Sequence, residues 1–427
     1  MKWRSRASRK AVETIVATFC TSVQESSRRL SSLSAGDWQK SWLWIDASGM
    51  ALYFLERIVS LHLETSLPTA TVRRLKANLA DNRDRSSSMF TEFIALNHSF
   101  QAAGLVYANL KGFTLYPDYC PRPELRCQFD FDFLVDGNQL HLCQEILEGL
   151  GYELWAITPD VWEFKAGASQ LTHISDHYKP GPQRSVELHF ASSQAEPYLP
   201  FRDPRLQRCV DHSWAGATFP ALSPADQFIA QSLHIYKHVC SACTRLSWLL
   251  EYQHCIAAHF HDHNLWDEVR EQAWKQRNAP VAIGLATLLA SQIFGAEVPP
   301  ELGEWIERLP ASVRLWANEY GRESMLADFP GTKLYLLLQE QLKGGDDAWK
   351  HARRRSLLPV HRAPRIVSVP AHDSAWNRIC SEFHQARFLL FRLRFHVVEG
   401  ARYFVESSRW RRRLATLHEF KPDLAAD

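Results

Sequence analysis

Phe129-Asp130-Phe131-Asp132-Phe133-Leu134-Val135 alternates apolar and acidic side chains with a period of two. In an extended strand that period sends the three phenylalanines toward a core and Asp130 and Asp132 to the opposite face, ~6.5 to 7 Å apart along the strand. Carboxylates held this close repel one another unless a cation compensates them. An oxygen-rich pair suits Mg²⁺ (or Mn²⁺), which takes one or two carboxylates and completes its shell with phosphates and water. A solvated strand edge would carry the same tripeptide, so support has to come from elsewhere in the chain.

Residues 186–190 (VELHF) supply it. Val186, Leu188 and Phe190 alternate inward and Glu187 points outward with His189, so a neighbouring strand would bring a third acid to the same face. Upstream, Leu110-Lys111-Gly112 closes an apolar run where the backbone is free to turn sharply, leaving amides and a lysine to hold phosphates. Strands are predicted at 105–110, 129–135, 152–155, 161–165 and 185–190, with a helix over 138–150 capped by Gly151.

Helical periodicity dominates on both sides of this insert. Residues 42–63 and 89–103 recur at three-and-four spacing, with Ser86, Ser87 and Ser88 as cap candidates and 81–88 as the loop before them. Helices resume at Ser223-Pro224 and continue through 228–239, 245–260, 266–277, 281–294, 302–309 and 334–342. The fold class expected is α+β: a small mixed β-sheet embedded between helical N-terminal and C-terminal regions. The boundaries read as a helical region 1–103, an α+β core 104–195, a helical domain 196–356, and 357–427 as a Pro-containing linker with a basic C-terminal helix from 375 to about 413.

The 427 residues, 46% hydrophobic and 22% charged, describe a folded chain able to bury a large core. The 49 Lys+Arg against 47 Asp+Glu argue against a polyanion-binding protein as a whole. Charge is nonetheless local: 351–427 holds 15 Lys+Arg and 7 Asp+Glu, net +8, leaving −6 for the rest. The tail's arginine clusters fit RNA, a phospholipid surface or an acidic partner, or simply a solvated face, while Phe388, Phe391 and Phe395 read as a buried stripe. Nine cysteines, odd in number and scattered, suit reduced thiols and a cytoplasmic location; neither a signal peptide nor a spanning apolar segment is expected. Cys240 and Cys243 with nearby histidines resemble zinc or redox spacing, but one CxxC at a helix turn reads better as packing. His173 and His177 are placed either along the cleft or on a surface loop.

The order of LKG (110–112), Arg126 ahead of DFDFLV (130–135), a helix ending LGY (150–152), VELHF (186–190), HIYKH (234–238) and RLSWLLEY (245–252) resembles the uncharacterised nucleotidyltransferase family of the DNA polymerase beta-like superfamily. That resemblance implies transfer of an NMP group from a nucleoside triphosphate to an acceptor, with divalent metal. By position, Asp130, Asp132 and Glu187 would ligate metal and carry catalysis, and Lys111, Gly112 and Arg126 would hold the triphosphate. The acceptor would be a small molecule or biosynthetic intermediate, nucleic acid being less favoured. The alternative is a catalytically inactive nucleotide-binding or scaffold protein with the same fold. The chain departs from the wider superfamily in having Lys111-Gly112-Phe113 where Gly-Ser is usual, and Phe129 where a small residue precedes the first acid.

Overall fold

The computed structural model describes residues 7–167, 177–181, 184–192, 200–344, 347–358 and 375–419. Four helices come first: α1 (Arg9–Ala17), α2 (Val23–Ser31), α3 (Ala35–Ala47) and α4 (Met50–Ser60). Residues 42–63, expected as one helix, break between α3 and α4 at Gly49. Its φ is +74°, and a Cβ there would lie 2.3 Å from the Ser247 hydroxyl, so the chain turns where a close approach leaves no room for a side chain.

The next helix, α5 (Thr69–Ala102), is 34 residues long and runs straight through the loop expected at 81–88. Tertiary bonds explain the difference. Asn82 Nδ2 donates to the carbonyls of Glu124 (2.7 Å) and Arg126 (3.1 Å), and Arg85 Nε donates to that of Gln128 (3.0 Å). Helix is thus fixed over a stretch whose serines locally favour a cap.

A seven-stranded mixed sheet follows: β1 (Tyr107–Asn109), β2 (Asp130–Val135), β3 (Glu153–Ile157), β4 (Val161–Ala166), β5 (Arg184–His189), and, after the small pair β6 (Ala191–Ser192) and β7 (Pro200–Phe201), β8 (Val210–Trp214) and β9 (Ala217–Ala221). Its order is β3-β4-β5-β2-β1-β9-β8. The central β2 runs antiparallel to β1 and parallel to β5. Strands β8 and β9 come from the stretch assigned above to a helical domain, and they reach the sheet because β9 pairs parallel with β1 at Asn109 and Ala221. The fold class is α+β, with helical regions flanking the sheet.

Period-two alternation gives the sheet two unlike faces. Phe131, Phe133 and Val135 join Val186, Leu188, Phe164 and Phe219 against Phe93, Leu96 and Phe100 of α5 and against α6 (Leu140–Gly149). Phe129 stands apart from that core, ahead of the first strand residue, and is only half-buried. The opposite face packs Ala108, Leu110 and Leu134 near α7 (Pro224–Val239), and carries the acids.

Helices α8 (Leu246–Ala258), α9 (His263–Ala273), α10 (Ala279–Phe294), α11 (Pro300–Glu307), α12 (Ala311–Trp316), α13 (Arg322–Met325), α14 (Tyr335–Lys343) and α15 (Asp347–Leu357) build a second core together with α1 to α4. The 45-residue α16 (Ala375–Glu419) adds Tyr403 and Trp410 to it. Ser223 caps α7 as expected, its hydroxyl accepting from the Asp226 amide at 3.2 Å. Residues 359–374, most of the predicted linker, and His173 lie outside the described residues.

Candidate active site

Parallel pairing of β2 and β5 sets Asp132 directly beside Glu187. Adjacent residues of a parallel pair share a face, so the register brings the two carboxylates together with His189. Ligand atoms of Asp132, Glu187 and His189 all fall within 4.8 Å of one another. His189 Nε2 lies 3.1 Å from Asp132 Oδ1 and 3.3 Å from Glu187 Oε2. Asp132 is 1% exposed at its side chain and Glu187 31%, so the pair spans from the protein interior to the solvent edge.

Lys111 enters from the turn after β1. The Leu110 amide donates to the Asp132 carbonyl at 3.0 Å, and Gln227 of α7 donates to the Leu110 carbonyl at 2.8 Å, which fixes the turn against both strand and helix. Lys111 Nζ then donates to Asp132 Oδ1 at 2.8 Å. Gly112, at φ +72°, turns the chain away immediately afterwards. A Cβ at that position would meet the Gln128 amide at 2.4 Å.

These contacts set the charges. Burial pushes the Asp132 carboxyl up, but Lys111 and His189 outweigh it and hold the group well below the usual carboxylate range. Lys111 and His189 are lowered by burial and raised further by the acids, so both favour their protonated forms. Asp130 goes the other way: burial, then the neighbouring Asp132 charge, push it up to about 6. Its carboxylate is not among the atoms gathered within 4.8 Å, although it feels Asp132, Lys111 and Glu187 electrostatically.

Arg126 sits in a buried ion pair, Nε to Glu251 Oε2 of α8 at 3.4 Å, and Tyr53 donates to the other Glu251 oxygen at 2.8 Å. Its charge nonetheless lowers the Asp130 carboxyl. Phe129 carries the guanidinium groups of Arg85 (4.7 Å) and Arg245 (5.0 Å) over its ring, with His177 edge-on at 5.2 Å. His234, His238 and Trp248 form an aromatic triangle with centroids 4.4 to 4.7 Å apart. Burial and the nearby Lys111 charge keep His234 neutral, far below its ordinary value. Sequence reading placed His189 on the acid face without counting it as a donor, and missed Arg85. His189 was signalled by the same alternation that exposed Glu187; Arg85 had no local signal, since its partner is 43 residues away.

The donor set fits a divalent cation. Three carboxylates meet Lys111 and His189, and Asp130, raised by burial and then by the Asp132 charge, is the acid that a further cation would relieve. Carboxylates suit Mg²⁺ or Mn²⁺.

The mixed sheet thus presents Asp132, Glu187 and Lys111 from one face, with Arg126 paired to Glu251 nearby. The chain belongs to a family described as uncharacterised nucleotidyltransferase, whose model matches residues 34–295. No curated protein matches it.

Proposed function

We propose that the protein is a divalent-metal-dependent nucleotidyltransferase that moves an NMP group from an NTP to a small-molecule or biosynthetic acceptor. The observation that carries this reading is the side-by-side register of Asp132 and Glu187, with Lys111 on Asp132 at 2.8 Å. Asp132, Glu187 and Asp130 would hold the metal, with His189 hydrogen-bonded beside them. A bound divalent ion supplies Lewis-acid polarisation at phosphorus and lowers the pKa of an attacking hydroxyl.

The chain's own residues do the rest. Lys111 and the turn at Gly112 bring a cation and backbone amides to the triphosphate, and Arg126 adds positive charge beside Asp130. His189 donates a hydrogen bond from Nε2 between Asp132 and Glu187 and keeps both carboxylates oriented. Glu187, the more open acid, accepts the proton of the acceptor hydroxyl. A cytoplasmic setting is supported by nine free cysteines, and no described helix is long and apolar enough to cross a membrane.

The test incubates each α-labelled NTP with Mg²⁺ or Mn²⁺ and cell extract, comparing wild type with Asp130→Ala/Asp132→Ala. Label transfer by wild type alone is expected, with a loss of at least ~100-fold in the variant. Equal labelling by both rejects the site. Because Lys111 already gives Asp132 an internal counter-ion, the scaffold reading is the second one, and tight NTP binding without transfer by wild type would establish it.

A further inference from the structure

Helix α16 meets the helical core along a face that shifts around the helix toward its C-terminal end, where Gly400 and Ser407 are buried. Ser381, Glu399, Tyr403, Ser407 and Trp410 are buried there, with Phe388, Phe391 and Phe395 half-buried along the same side. On the opposite side a second apolar stripe faces solvent. Trp376, Phe383, Leu390, Val397 and Phe404 recur at intervals of seven, and Ile379, Ala386 and Leu393 fall three residues after the first three of them. The seven large members of this stripe are each 52% to 70% exposed.

A stripe of this period is a coiled-coil seam: apolar residues fill the first and fourth positions of three successive heptads from Trp376, and beyond Val397 the fourth position passes to Gly400, which is buried. Leu389, Val398 and Val405 are exposed on its flanks, but Arg387 and Arg394 border it closely, and it is the seven-residue period that points to a partner helix rather than a lipid surface. We propose that the stripe pairs with the same stripe of a second copy, forming a parallel two-stranded coiled coil between α16 helices.

Two observations support that occupant. From Trp376 to Val397 the seam extends ~32 Å at 1.5 Å per residue, and its large side chains expose on the order of 600 Å² per copy, approaching the ~800 Å² per partner of a stable interface. Charge then selects the direction. In a parallel pair Glu382 of one copy flanks Arg387 of the other, whereas an antiparallel pair centred on Leu390 and Leu393 would set Arg387 against Arg394. This inference is independent of the proposed chemistry.

The full-length chain is tested by sedimentation or light scattering from about 1 to 100 µM. Wild type is expected to reach twice the chain mass. Leu390→Lys/Val397→Lys is expected to remain at the monomer mass with an unchanged circular dichroism melt, since both side chains are exposed. Arg387→Glu is expected to weaken the parallel dimer, and Glu382→Arg/Arg387→Glu to restore it. A wild-type monomer across the range overturns the proposal, and co-sedimentation of that monomer with phosphatidylserine vesicles would assign the stripe to a lipid surface instead. A dimer that survives the double lysine variant also overturns it, and one strengthened by Arg387→Glu overturns the parallel direction.

Discussion

Asp130 and Asp132 share one strand and differ in charge behaviour because only one of them has a close cation. Lys111 lies on Asp132, while Asp130 faces the resulting negative charge from a buried position and is pushed up to about 6. Its folded value therefore exceeds the unfolded one, near 3.9. Between the two the folded state binds more protons, so this residue's contribution to stability is full at low pH and is lost as pH rises through about 6. Asp130→Asn is accordingly expected to stabilise the metal-free protein at pH 7.5, by about 1 to 3 kcal/mol, with the gain shrinking toward pH 5. Thermal melts at the two pH values check it. Mg²⁺ or Mn²⁺ should raise the wild-type midpoint at pH 7.5 and do less for the variant, and wild-type transfer should fall as pH drops through about 6. A variant no more stable than wild type at pH 7.5 would mean that Asp130 is not held ionised at a cost.

At the scale of elements, the turn after β1 couples Lys111 to the strand of acids. Gly112 has a left-handed backbone, and the Gln128 side chain that fills the space beside it also donates to the Asp130 carbonyl at 2.9 Å. Gly112→Ala should cost about 1 to 2 kcal/mol from backbone strain, because the flexible end of Gln128 can move aside. That movement releases the start of β2, so transfer should fall by more than the modest shift in melting temperature implies. Comparing kcat with the melt for the same variant tests this, and equal activity would place the turn outside the mechanism. The strands that carry the acids were legible in the sequence because Phe131, Phe133, Val186 and Leu188 alternate strictly with polar residues. Strands β8 and β9 were not. VDHSW has a weak apolar period, ATFPA contains a proline, and their turn uses Ala215 at φ +49°, a conformation for which alanine gives no sequence signal. Arg126 is near enough to Asp130 to lower its carboxyl, but its pairing with Glu251 depends on α8 folding back from 125 residues away.

Across the whole molecule two cores share one spine. Leu75 of α5 belongs to the large helical core, and Phe93, Leu96 and Phe100 of the same helix to the core beneath the sheet. Helix α16 joins only the first: Tyr403 and Trp410 are 2% and 1% exposed, the Trp410 ring lies 5.9 Å from Tyr320, and no residue of that core comes from a strand. Trp410→Ala removes the largest anchor of α16, and large-to-small changes at such sites cost about 3 to 5 kcal/mol. The sheet core and the Asp132–Glu187 register depend on none of these contacts. The expected result is therefore a clearly lowered melting temperature with NTP-dependent transfer unchanged at 20 °C, where the folded state still predominates. Loss of transfer in a variant that remains folded by circular dichroism would show that α16 takes part in acceptor binding or catalysis, and would tie the basic tail to the acidic face.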